Sequence, residues 1–426
     1  MVKSLLQKQC LSHERQKALE SKTVCVVGAG ISGLTVANSL ANEGIRVFVI
    51  DKNPFPGGRS VQYGCKATDS CLQCGVCLVR DAVANFKKSS LIDASFSSTP
   101  RALHRRENDG YDIEVETIPN PIDWRSCTEC GECREVCPKN AVKSIPGWKY
   151  YISEHCDRCG KCLVVCPVGA INLERKRQYE TFPALSVVIS SGFKPFDPAV
   201  NLKWGYGANP RVITGSDLES LFCREKFLPS DPELKDLKKI AFILCVGSRN
   251  IVEGERHCSR VCCAYSLRMA NRIKEEYPDT EIDIYYMDIQ YFGKSFSSFW
   301  AELKRKINFI RSHPISISID EQERPLVRYE SMSDLRCREE AYDLVVLANG
   351  ICPPDNGEEL AEIFGLDLEA GGFLSAATNA ASNNGSGRDS GIFLTGACRR
   401  PMGIAECVES AYGAAAGVLR YLGDKV

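Results

Sequence analysis

The segments SCTECGECREVCPKNAV and HCDRCGKCLVVCPVGAI constrain this chain more than any other feature. The first sets Cys127, Cys130, Cys133 and Cys137 ahead of Pro138; the second sets Cys156, Cys159, Cys162 and Cys166 ahead of Pro167. Each is a C-x2-C-x2-C-x3-C-P run, in which three thiolates share one tight loop and the fourth cysteine serves the other run's cluster. The spacing predicts a bacterial-type two-cluster ferredoxin module over 122–178. One [4Fe–4S] cluster falls to Cys127, Cys130, Cys133 and Cys166, the other to Cys137, Cys156, Cys159 and Cys162. Zinc fails on spacing, because a tetrahedral site draws on two pairs rather than two overlapping runs of four.

The chain has 23 cysteines among 426 residues, and the N-terminal MVKSLLQKQCLSHERQKALESK is charged throughout. It lacks the apolar core of a signal peptide. Clustered cysteines in a large chain without an export signal point to metal ligation in a reducing, cytoplasmic setting rather than to disulfides. A formal net charge of -1 gives no support for nucleic acid or an anionic membrane as partner. No apolar run is long enough to span a bilayer, so the protein is not expected to be an integral membrane protein.

Residues 23–51 read as a β-α-β unit: TVCVV, the turn GAGISG, the helical stretch LTVANSLANEG, and IRVFVI ending at Asp51. Gly28 permits the tight turn, Gly30 lets backbone approach a pyrophosphate, and Gly33 lets the helix pack close to the sheet. Asp51 stands where a carboxylate accepts ribose hydroxyls. The GG turn ending at Gly58, and Arg59 after it, follow. Near the C-terminus, GIFLTGACRRPMGIAECVESAYGAAAGVL gives a strand ending at Thr395, then Gly396 and Ala397, then a small-residue helix. That is the usual second half of an FAD site, although the common acidic residue is replaced by Ala397 and Cys398. FAD rather than NAD is expected. LSVVISSG (185–192) and YDLVVLANG (342–350) resemble the strands that close such a domain, with the ferredoxin inserted between the second strand and the continuation near 185.

Residues 235–340 form a second α/β unit whose strand KKIAFILCVG ends without a glycine fingerprint. IDIYYMDI reads as a second strand and SSFWAELKRKINFIRSH as a helix. Cysteines stand in place of the nucleotide loop: Cys245, Cys258, Cys262 and Cys263. Cys258 and Cys262 share a face if helical, so four thiolates can converge there; buried free cysteines are the alternative. Adjacent Cys262 and Cys263 do not fit easily as core residues on one helical face. Upstream, YGCKATDSCLQCGVCLV carries Cys65, Cys71, Cys74 and Cys77, a candidate third [4Fe–4S] site with Cys65 or Cys10 as fourth ligand. A redox-active thiol pair beside the flavin is the alternative.

The fold class expected is α/β, a thioredoxin-reductase-like flavoprotein with two dinucleotide-type domains and an inserted bacterial-type 2[4Fe–4S] ferredoxin domain. The chain opens with an N-terminal helix (1–20), a first FAD-binding segment (21–79), a connecting segment (80–121) and the ferredoxin (122–178). A second FAD-binding segment (179–234), a degenerate nucleotide domain (235–340) and a third FAD-binding segment (341–426) follow.

CVGSRN…HCSRVCCAYSLRMA followed by YYMDIQYFGKSF, combined with an FAD fingerprint and inserted ferredoxin, resembles the A subunit of heterodisulfide reductase from about residue 20 to 426. The resemblance implies that Cys245, Cys258, Cys262 and Cys263 hold a [4Fe–4S] cluster close to the flavin. It implies an oxidoreductase working within a complex, relaying and in some members bifurcating electrons. The partners implied are heterodisulfide reductase B- and C-like subunits, or a hydrogenase, formate dehydrogenase or ferredoxin; a homodimer is compatible. Arg268 matches a basic residue that approaches the flavin in some members. Full-length members carry an extra N-terminal domain and usually a second, C-terminal ferredoxin, and the resemblance implies a shorter form here. Longer members have a Cys-x2-Cys matching Cys71 and Cys74, so Cys65 and Cys77 are expected to complete that cluster locally. The competing reading is an NAD(P)H-dependent iron–sulfur flavoenzyme similar to the glutamate synthase small subunit, which requires a second intact nucleotide loop.

Overall fold

The computed structural model describes residues 23–107, 109–223, 237–252, 254–291, 293, 296–376, 386–387 and 390–423. The expected N-terminal helix, and Cys10 with it, lies outside these residues.

Four short strands make the heart of the first unit: β1 (Thr23–Val27), β2 (Arg46–Asp51), β3 (Ile92–Phe96) and β4 (Ser186–Ile189). With the strand Ile392–Leu394 they form a parallel sheet whose central strands are buried on both faces. Such strands read as continuous hydrophobic sequence rather than as alternation. One face is covered by α1 (Ile31–Asn42), α2 (Val76–Lys88) and the C-terminal helix Ile404–Gly423. In that last helix Cys407, Ala411, Ala414, Ala415, Val418 and Leu422 make the buried stripe, small enough for close contact with α1.

The other face carries an antiparallel three-stranded sheet of Ser98–Arg105, Tyr111–Thr117 and Gln178–Ala184. The ferredoxin module sits in the loop of this sheet, where Thr117 pairs with Gln178, and so between the second parallel strand and β4. Residues 80–121 are likewise more than a connector, since they contribute most of α2, β3 and two strands of the antiparallel sheet. Trp124 and Trp148, 5.2 Å apart between ring centroids, pack with Phe86 and Phe96, and thereby seat the module on the core of the first unit.

The second unit is a parallel sheet in the order β5 (Val212–Thr214), β9 (Leu344–Asn349), β6 (Lys239–Val246), β7 (Glu281–Tyr286), β8 (Asn308–Arg311). Two expectations change here. The run LVVLAN, read as closing the flavin domain, belongs to this sheet, with Ile240 opposite Leu344 and Ile213 opposite Val346. The helix expected over 297–313 stops at Lys306; Asn308–Arg311 is an edge strand that puts Ile310 beside Tyr285. Helix α3 (Gly215–Cys223) follows β5, α4 (Cys262–Glu276) follows β6, and α5 (Phe296–Lys306) follows β7.

Candidate functional site

The turn from β1 into α1 needs three glycines for three reasons. Gly28 has φ +108°, and a Cβ there would stand 2.3 Å from the Ser190 carbonyl oxygen. A Cβ on Gly33 would fall 1.8 Å from the Gly28 carbonyl oxygen, so only glycine lets α1 pack this close. At Gly30 no protein atom lies within 4 Å of the corresponding point. That open face, at a helix N-terminus, is what an anionic pyrophosphate requires. Asp51 ends β2 buried, accepting the Ala29 amide at 2.5 Å and the Asn53 amide at 2.7 Å. Burial pushes its carboxyl pKa above the ordinary value, against the pull of those amides.

A cavity of about 370 Å³ opens from Gly30 and Asp51, passes Gly58 and Arg59, and reaches Ala397 and Met402 ahead of the last helix and Ile404 at its start. Its far wall is Arg260, Tyr265 and Arg268 from α4 and the loop before it. A Cβ on Gly58 would lie 3.0 Å from the Gly30 Cα, so the GG turn folds directly over the glycine turn. Arg59 Nε donates to the Phe193 carbonyl at 3.2 Å. Gly396 has φ +77° and abuts the Ser32 hydroxyl, tying the two halves of the site together.

Several wall residues had no signal in the sequence. Lys66 and Glu219 form a buried ion pair at 2.5 Å, and burial pushes the Glu219 pKa up while Lys66 opposes it. Tyr265 donates its hydroxyl to the Asn349 carbonyl at 3.0 Å. Arg268, singled out by resemblance, donates to the Tyr291 hydroxyl at 3.0 Å, while its buried Nε has no hydrogen-bond partner. Neither Lys66 nor Glu219 stands in a pattern, because pairing across distant segments leaves no local trace.

In the ferredoxin module two small cavities are each lined by four cysteines. Cys127, Cys130, Cys133 and Cys166 surround one; Cys137, Cys156, Cys159 and Cys162 surround the other. These are the two cross-shared sets expected from spacing. Backbone amides aim at the sulfurs: Ala141 at Cys137 (3.2 Å), Arg158 at Cys156 (3.3 Å) and Ala170 at Cys166 (3.3 Å). Burial and the neighbouring Cys127 and Cys130 push the Cys133 thiol up to about 11, the behaviour of sulfurs crowded around one space. Among the described residues no group of Cys, His, Asp or Glu closes around a single metal ion. Four thiols around each space are a donor set that suits an iron–sulfur cubane.

At the end of β6 a third quartet gathers. Cys245, Cys262 and Cys263 are buried and Cys258 is half-buried. Cys262 hydrogen-bonds to both Cys245 and Cys263, which raises its own pKa well above the thiol range and lowers theirs. Cys258 faces Cys245 and Cys263, with the Arg260 amide at 3.4 Å from its sulfur. Adjacent Cys262 and Cys263 are both buried after all: one turns to β6, the other to Asp288 and the Gln290 amide. Cys245 adopts φ +63°, a left-handed conformation costing a β-carbon-bearing residue about 1–2 kcal/mol. Arg249, unremarked in the sequence, pairs with Asp288 at 2.5 Å and lies near Cys245 and Cys258. The nucleotide-loop position here is filled, since a Cβ on Gly247 would sit 2.0 Å from the Phe196 ring.

Of the first cysteine group, Cys65, Cys71 and Cys77 are exposed, whereas Cys74 is half-buried and lines the large cavity.

Residues 26–75 match the family described as NAD(P)-binding Rossmann-like domain, and residues 121–143 and 149–172 match the 4Fe-4S binding domain. The A subunit of the H(2):CoB-CoM heterodisulfide,ferredoxin reductase of Methanothermobacter thermautotrophicus is 32% identical over 95% of this chain and 64% of its own length. An iron-sulfur A subunit of CoB–CoM heterodisulfide reductase from Methanopyrus kandleri is 33% identical over 92% of this chain and 63% of its own length. The chain thus spans just under two thirds of these curated relatives. Thioredoxin reductases from T. acidophilum and Lactococcus lactis share the fold, with TM-scores of 0.53 and 0.52 at 15% and 14% identity. Each comparison covers 95% of this chain and 100% of the solved one.

Proposed function

Because this chain belongs to the family of heterodisulfide reductase A subunits, we propose that it is the FAD- and [4Fe–4S]-containing electron-transfer subunit of a heterodisulfide-reductase-like complex. One observation carries the reading: a single cavity joins the open glycine turn to the helix that bears Cys262 and Cys263. FAD supplies two-electron exchange with release of single electrons, which iron–sulfur clusters conduct one at a time. Gly30 and the N-terminus of α1 would take the pyrophosphate, Asp51 the ribose, and Gly58, Arg59, Gly396 and Ala397 the remainder. Gly28 and Gly33 shape that turn without facing the ligand. Tyr265 and the Lys66–Glu219 pair wall the cavity, while Arg268 presents fixed positive charge beside it.

The ligand sets are the two ferredoxin quartets together with Cys245, Cys258, Cys262 and Cys263. The domain division follows: a flavin unit interrupted by the ferredoxin, and a second unit that has exchanged its nucleotide loop for thiols. The packing of Phe196 and Gly254 on Gly247 argues against an NAD(P)H-dependent flavoenzyme resembling the glutamate synthase small subunit. The partners proposed are one-electron proteins: B- and C-like subunits, a hydrogenase, a formate dehydrogenase or a ferredoxin. No described helix is long and apolar enough to cross a membrane, and a cytoplasmic location belongs to the proposal.

Anaerobic purification followed by cofactor release is expected to yield FAD, and reduced ferredoxin is expected to bleach the flavin absorbance. Fast bleaching by NADH or NADPH of the isolated chain would overturn the reading in favour of the free-standing flavoenzyme.

A further inference from the structure

Seven residues recur three times along the chain: CLQCGVC at 71–77, CTECGEC at 127–133 and CDRCGKC at 156–162. The backbone recurs with them. The residue before the second cysteine is left-handed each time: Gln73 at φ +51°, Glu129 at +65° and Arg158 at +57°. The glycine after that cysteine is left-handed too, Gly75 at +80°, Gly131 at +86° and Gly160 at +80°. Each of these glycines caps a helix that begins at the next residue, so the third cysteine always stands in a first helical turn. Left-handed Gln, Glu and Arg are uncommon, and their side chains give no shared cause. The shared cause is the turn, which points an amide back at the first sulfur, Gln73 to Cys71 at 3.4 Å and Arg158 to Cys156 at 3.3 Å.

We infer that residues 71–77 are a third ferredoxin-type half-site, holding a [4Fe–4S] cluster through Cys71, Cys74 and Cys77 with Cys65 as its fourth ligand. The inference rests on reading the two ferredoxin runs as cluster ligands. Cys65 receives the Ala67 amide at 3.5 Å, the same two-residue contact that Cys71, Cys156 and Cys258 receive. Helix α4 holds both ends of the loop, through Arg272 to the Cys65 carbonyl and Arg268 to the Gln73 carbonyl at 3.4 Å. The fourth thiol is therefore local, unlike the crossed-over Cys137 and Cys166. Cys223, near Cys65 through the packing of Phe222 on Gly64, is instead engaged by Arg80. The half-site also differs in cover: Cys77 is exposed where Cys133 and Cys162 are buried, and Cys74 lines the cavity. A cluster here faces solvent on one side and the cavity on the other, the placement of a relay to a soluble one-electron carrier.

Mössbauer and iron analysis of the anaerobic holoprotein should count four clusters. Three clusters, with FAD and the ferredoxin pair present, would overturn the inference without any variant. Cys71→Ala is expected to lose about a quarter of the iron while keeping FAD and the ferredoxin signals; unchanged iron overturns it. Cys65→Ala should lose the same share and Cys223→Ala none; iron kept in Cys65→Ala overturns the fourth ligand. Failure of the functional reading looks different, as absent FAD or as iron unchanged in Cys130→Ala.

Discussion

The chain builds the same strand–turn–helix twice and uses it for two chemistries. At the end of β1 the turn is three residues long, bare and open at Gly30. At the end of β6 a long loop leads to α4, and the space in front of the strand is filled by the Phe196 ring, Gly254 and four thiols. Ligands of open α/β sheets bind beyond the carboxyl ends of the strands. The difference between the units shows that the site's position belongs to the fold, whereas its chemistry depends on whether that space is left empty or lined with sulfur. Backbone strain follows the same division: glycine takes the left-handed turn in the first unit, and cysteine takes it at φ +63° in the second.

The hardest test of the first turn is Gly33→Ala, whose Cβ would land 1.8 Å from a backbone oxygen. We expect a loss of about 3 kcal/mol or more in denaturant unfolding, since neither partner can move away. Gly30→Ala should separate stability from binding. Its midpoint is expected to stay within about 0.5 kcal/mol of wild type, while FAD affinity falls tenfold or more, about 1.4 kcal/mol, by equilibrium dialysis. Equal losses from the two substitutions would break the distinction between a structural glycine and an open one. In the second unit, Cys245→Gly and Cys245→Ala both remove the sulfur and should both lack the cluster proposed there. The glycine form should nevertheless be more stable than the alanine form by about 1 kcal/mol, because only it relieves the left-handed strain.

How much of this was legible follows from how local each signal is. The ferredoxin quartets were readable because ligand spacing is written in consecutive residues, and Pro138 and Pro167 mark the ends. The glycine turn was readable for the same reason. The sheet that owns Leu344–Asn349 was not, since every doubly buried parallel strand is an apolar run and its neighbours are chosen by long-range register. Asn308–Arg311 passed for the end of a helix because its apolar residues continue the helical spacing of α5. The antiparallel sheet that frames the ferredoxin depends on the pairing of Thr117 with Gln178, which no local pattern records. The Lys66–Glu219 pair and the divergent partners of the buried Cys262 and Cys263 are tertiary facts of the same kind.

The smallest expected effect concerns the tie between the two units. Arg260, in the loop before α4, meets Glu406, in the first turn of the last helix, at 2.9 Å, with side chains 39% and 35% exposed. Glu406 also accepts the Gly403 amide at 2.9 Å, so it caps that helix as well as pairing across the cavity mouth. Glu406→Gln keeps a capping oxygen and deletes only the charge. At this exposure the pair should contribute less than about 1 kcal/mol, and less still at high salt. Glu406→Ala, which removes the cap too, should cost about 0.5–1 kcal/mol more. A loss above about 2 kcal/mol in Glu406→Gln, insensitive to salt, would mean that the bare turn and the thiol-filled turn are held in register by this one contact. The two units would then act as a single electrostatic body rather than as two sites that share a wall.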